Sequence, residues 1–72
     1  MTLLTRVSAF IKAQPGKRFC DGCIKSETNA PSYEVVNEAT RHLSKAGTNL
    51  GFFRSHDVCN ICGEVRLVIY AL

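Results

Sequence analysis

The sequence has no tryptophan, one methionine and two prolines, and aromatic residues make up only 8% of it. So little proline excludes a proline-rich linker or ligand, and no low-complexity stretch or internal repeat interrupts the chain. No apolar run is long enough to span a bilayer. Near the start, Arg6, Ser8 and Lys12 break up Leu3, Leu4, Val7, Phe10 and Ile11, so neither a signal-peptide core nor a membrane span is expected there. Charge of one sign is also scarce: nine Lys and Arg against six Asp and Glu give +3, far from the basic density of a histone-like nucleic-acid binder. The five glycines form no phosphate-binding loop, and no Ser-His-Asp set is recognisable. The expectation is a non-enzyme without a small-molecule substrate or a membrane partner.

At 72 residues the chain is long enough for one domain, residues 1–72, and too short for a second. Hydrophobic residues at 46% make it globular rather than disordered. A core this small usually needs a disulfide, a metal or a partner. Four cysteines supply the means, as Cys20-x-x-Cys23 and Cys59-x-x-Cys62. Two residues between sulfurs let both thiolates of a pair reach one ion near ~2.3 Å, and two pairs complete a tetrahedron. With no export signal expected, the protein is placed in the cytoplasm, where thiols stay reduced and serve as metal ligands rather than disulfides. In an oxidising compartment the same cysteines would allow three disulfide connectivities.

Zinc is the expected ion; a rubredoxin-type iron site uses the same four thiolates. A dithiol redox role would use one such pair at a helix N-terminus, but the chain is too short for a βαβ core. Neither pair is followed by His, which excludes covalent haem attachment. His42 and His56 are the substitute ligands to consider, and neither is assigned to the metal. Gly63, after the second pair, suits the positive φ of a metal-binding knuckle. The stretch from Cys23 to Cys59 exceeds the usual zinc-ribbon gap of roughly 12–20 residues, so the ion would join the second helix to a distant hairpin.

Apolar periodicity predicts an amphipathic helix over 3–13, stopped by Pro15-Gly16. A brief helix over 21–28 is expected with Asp21 as cap, and Asn29-Ala30-Pro31 turns the chain. Ser32 is the expected N-cap of the clearest helix, 33–46, with Gly47 just beyond its end. Its core face is Val35, Val36, Ala39, Leu43 and Ala46; Tyr33, Glu34, Asn37, Arg41, Ser44 and Lys45 lie opposite. Residues 52–72 read as two strands, with Val65, Leu67 and Ile69 on one side and Arg66, Val68 and Tyr70 on the other. Val36, Ala39, Leu43, Val7, Phe10 and Ile24 are expected to share a core with Leu67 and Ile69. The fold class is α+β: three helices, then a β-hairpin, with at most a bridge of strand near Phe19.

Phe19-Cys20-x-x-Cys23-Ile24, the helix Val35 to Leu43, Gly51-Phe52-Phe53-Arg54, and Cys59-x-x-Cys62-Gly63 followed by Val68-Ile69 together resemble small zinc-containing winged-helix proteins of prokaryotes. The likeness covers nearly the whole chain. It implies a winged helix-turn-helix that binds double-stranded DNA in transcription regulation, with the third helix in the major groove and the hairpin as wing. In that arrangement Asn37 and Arg41 would read bases together, Tyr33 would meet a phosphate or cover the second helix, Lys45 would join the DNA-binding set, and Lys17, Arg18 and Lys25 would contact phosphates or moderate the negative charge of the metal site. The alternative is a protein-interaction module that uses the same rigid fold and has no DNA contact.

Overall fold

A computed structural model of the chain describes residues 2–45 and 51–72. Its elements run α1 (Leu3–Lys12), β1 (Phe19–Cys20), α2 (Asp21–Thr28), α3 (Tyr33–Leu43), β2 (Phe52–Val58) and β3 (Val65–Ala71). Among the described residues no helix is long and apolar enough to cross a membrane.

Capping fixes where the helices begin. The Thr2 hydroxyl accepts from the Thr5 amide at α1, a cap not read from the sequence, and at α3 the expected Ser32 hydroxyl accepts from the Val35 amide. At α2 the cap position belongs to Cys20, without a side-chain bond, and Asp21 is the first helical residue rather than the cap. Asn29 closes α2 with φ 56°, a left-handed conformation that asparagine tolerates better than most residues. The Ala30 amide then bonds back to the Lys25 carbonyl in a Schellman-type closure.

Two helices are shorter than expected. α1 ends at Lys12, with Ala13 as its cap. α3 ends at Leu43 rather than residue 46: Ser44 leaves helical geometry at ψ 6°, and its hydroxyl bonds back to the Thr40 carbonyl. The expected Ala46 core position and Gly47 terminator lie outside the described residues.

β1 joins the hairpin, giving an antiparallel sheet in the order β1-β3-β2 instead of a hairpin alone. Phe19 pairs with Ile69 and Cys20 with Val68, while β2 and β3 pair from Phe52 with Ala71 to Val58 with Val65. Val7 and Ile11 from α1, Ile24 from α2, and Val36, Ala39 and Leu43 from α3 pack on Phe19, Phe52, Ile69 and Ala71; Phe10 lies at the margin.

Leu67 is not in this core. It shares a face with Ile69, but the core cluster covers only the Ile69–Ala71 end of β3. The outer part of the hairpin extends beyond it, leaving Leu67 38% and Val65 71% exposed. Val68, on the opposite face, is fully buried against Cys20 and Cys59. Val35 also lies at the exposed edge of α3 rather than in its buried stripe. Leu43→Ala should cost roughly 2–5 kcal/mol, since it empties a buried position that α3 contributes to the core. Chemical denaturation of the variant checks this, and an unchanged midpoint would show that Leu43 does not fill the core.

Candidate metal centre

Two kinds of backbone present the cysteines. Cys20 ends β1 and Cys23 lies in the first turn of α2, while Cys59 and Cys62 flank the tip between β2 and β3. Gly63 takes φ 74° there, as a knuckle requires, and its amide bonds to the Cys59 carbonyl. Asn60 ties the tip to the residue just before β1. Its amide donates to the Arg18 carbonyl at 2.8 Å, and the Arg18 amide donates to its Oδ1 at 2.6 Å.

The four sulfurs therefore converge from opposite ends of the chain and lie within 4.8 Å of one another. The Sγ atoms of Cys20 and Cys62 are 3.9 Å apart, and those of Cys23 and Cys59 are 3.7 Å apart. A tetrahedral ion with sulfur ligands at ~2.3 Å has sulfur–sulfur edges of about 3.8 Å, so the separations fit four donors around one ion. All four cysteines are free of disulfides. The cluster can hold one metal ion. His42 and His56 are exposed and lie outside it.

The sulfurs differ in their surroundings. Burial, and then the crowding of the other three sulfurs, raises the Cys23 thiol well above its ordinary value, and burial also raises Cys20. At Cys59 burial acts in the same direction, but backbone amides of Cys62, Cys20 and Ile61 outweigh it and hold the thiol down at about 6. The Cys20 and Ile61 amides each lie 3.4 Å from the Cys59 sulfur. Cys59 thus offers a thiolate at neutral pH to a first metal contact, and Cys62 is the exposed member of the set.

Beside the sulfurs lies a polar cluster that periodicity did not reveal. Asp21, only 4% exposed, accepts from Asn37 Nδ2 at 2.9 Å and from Thr40 Oγ1 at 3.0 Å, and faces an Arg54 guanidinium nitrogen at 3.7 Å. One carboxylate next to Cys20 thereby joins α2, α3 and β2. The signal available in the sequence was an acidic residue directly after a ligand cysteine, but its partners come from distant segments.

The same contacts place the expected surface residues. Tyr33 and Arg41 are exposed on α3, Lys45 is exposed two residues past its end, and Lys17 is exposed before β1. Asn37 is half-buried, with its amide directed at Asp21 rather than paired with Arg41 on an open face. Arg18 lies over the Tyr70 ring at 5.0 Å and pairs with Asp57 at 3.2 Å. Lys25 is half-buried.

Comparison with protein-family models, with curated proteins and with solved structures finds no match to this chain.

Proposed function

We propose that the chain is a zinc-stabilised winged helix that binds double-stranded DNA, as a transcriptional regulator or accessory factor. The observation that carries this reading is topological. A short helix α2 and a longer α3 are followed by a hairpin, and the two-residue β1 closes the sheet in the order β1-β3-β2, an order that supports a winged-helix reading. Zinc suits the four-sulfur set, since four protein donors complete its tetrahedron and leave no position for a substrate or activated water. Its role is then structural. Reduced thiols also suit a cytoplasmic protein.

In this reading α3 enters the major groove with Arg41 outward, Tyr33 at its start and Lys45 just past its end, while Lys17 approaches the backbone. Arg41 is the base-reading residue, because Asn37 is committed to Asp21. Four thiolates and one zinc ion reduce the net charge from +3 to about +1, so non-specific affinity is weak and a dimer or partner supplies the rest.

A protein-interaction role is the second reading, favoured by two observations. Glu34 and Glu38 are exposed on α3 alongside Arg41, and the exposed part of the hairpin carries Val58, Val65 and Leu67 with Arg66 paired to Glu64. Titration of metal-loaded protein with DNA over a range of salt separates the two. If α3 reads DNA, Arg41→Ala loses about 1–3 kcal/mol and relaxes base choice at one position. Lys17→Ala weakens all sequences alike and lowers the salt slope by about one unit. No binding at low salt, where electrostatic attraction is strongest, would leave the protein-interaction reading.

A further inference from the structure

We infer that Cys62 is the site at which hydrogen peroxide oxidises the four-cysteine centre, closing a disulfide with Cys20 that takes two of the four sulfurs from the ion. The inference rests on the metal-centre part of the proposed function and not on DNA binding. Three observations carry it. Cys62 is the exposed member of the set, whereas Cys20 and Cys59 are only 4% and 1% exposed, so an oxidant from solvent meets Cys62 first. Cys59, in contrast, is buried, with the Cys20 and Ile61 amides 3.4 Å from its sulfur, so an oxidant from solvent does not reach it first. Cys20 Sγ lies 3.9 Å from Cys62 Sγ and belongs to the other arm of the centre.

The step balances with one peroxide and two thiolates. The Cys62 sulfur attacks one peroxide oxygen; an S–O bond forms, the O–O bond breaks, and the departing hydroxide takes a proton from solvent to become water. The Cys20 thiolate then attacks the Cys62 sulfenic sulfur. An S–S bond forms, the S–O bond breaks, and the second hydroxide takes a second proton. The two sulfurs lose two electrons and the peroxide gains them. Two of the four donors are thereby withdrawn from the ion, and the remaining pair, Cys23 and Cys59, cannot hold it tightly. The disulfide changes the position of Cys20, which directly precedes Asp21, so oxidation also disturbs the carboxylate that engages Asn37 and Thr40 of α3.

The experiment treats full-length, metal-loaded protein with hydrogen peroxide, follows metal release with a chromogenic chelator, and maps disulfides by peptide mass spectrometry under non-reducing conditions. Release of about one metal per disulfide, with Cys20 joined to Cys62, is the expected result. A Cys20–Cys23 or Cys59–Cys62 disulfide as the first product would overturn the inference. Cys62→His keeps a fourth donor while removing the exposed sulfur, and should slow release at least about tenfold. Release from this variant at the wild-type rate also overturns it. Should Cys62→His not load metal, the disulfide map of the wild-type protein decides alone. A purified reduced protein with no metal before peroxide counts against the metal-centre reading, and its disulfide map still decides the site of oxidation.

Discussion

A strong chelator added to the reduced, metal-loaded protein is expected to unfold it cooperatively instead of lowering its melting temperature by a few degrees. Structural zinc in small domains contributes an apparent ~10–16 kcal/mol, against a total of about 5–15 kcal/mol for a typical fold. The remaining core, built around Phe19, Ile11, Ile24, Ile69 and Val36, is small. Loss of the ion also leaves sulfurs close together at the junction of two distant chain segments, with Asn60 as a polar clamp between them. Circular dichroism with elemental analysis checks the result, and a folded, reduced sample without metal would overturn it.

Proton release provides a second reading of the same experiment. The Cys20 and Cys23 thiols stand above their ordinary value of 9.0 and are protonated at neutral pH, whereas Cys59 is ionised above about 6. Metal uptake at neutral pH must therefore expel the Cys20 and Cys23 protons, and calorimetry in buffers of different ionisation enthalpy measures that release. The depressed Cys59 thiol contributes stability that is present above its unfolded value near 9.0 and lost as the pH falls through about 6. The two raised thiols have the opposite sign without metal: what they contribute is present below 9.0 and lost as the pH rises through their higher folded values.

Asp21→Ala should cost about 3–5 kcal/mol, because removing one member of a buried charge pair leaves the other uncompensated. Arg54 loses its counter-charge, and Asn37 and Thr40 lose their acceptor. Asp21→Asn should cost less, as the amide oxygen still accepts one hydrogen bond. Hydrogen exchange of metal-loaded Asp21→Asn should rise around Asn37 and Thr40 in α3. An Asp21→Ala melting temperature within error of wild type would show that the carboxylate is not part of what holds α3 in place.

The sequence by itself determined the elements governed by local rules. Ser32 caps α3 because a hydroxyl before a helical run can reach an amide three residues on, and Gly63 turns the knuckle because glycine alone accepts φ 74° without a steric penalty. The helical spacing of Val7 with Ile11 and of Val36 with Leu43 placed these residues in the core. The two Cys-x-x-Cys spacings mark the four sulfurs that the fold brings within 4.8 Å of one another.

Tertiary structure alone decided the rest. Strand alternation put Leu67 beside Ile69, but how far the core extends along β3 depends on elements that pair and pack from elsewhere in the chain, so Ile69 is buried and Leu67 is exposed. Periodicity also assigned Asn37 to the open face of α3, although its amide finds Asp21, sixteen residues away. Asp21 passed for a simple cap because its partners Thr40 and Arg54 meet it only after α2, α3 and β2 have packed. A one-dimensional pattern records which side chains share a face. Whether that face is covered, and by which polar partner, depends on contacts between segments that no local period encodes.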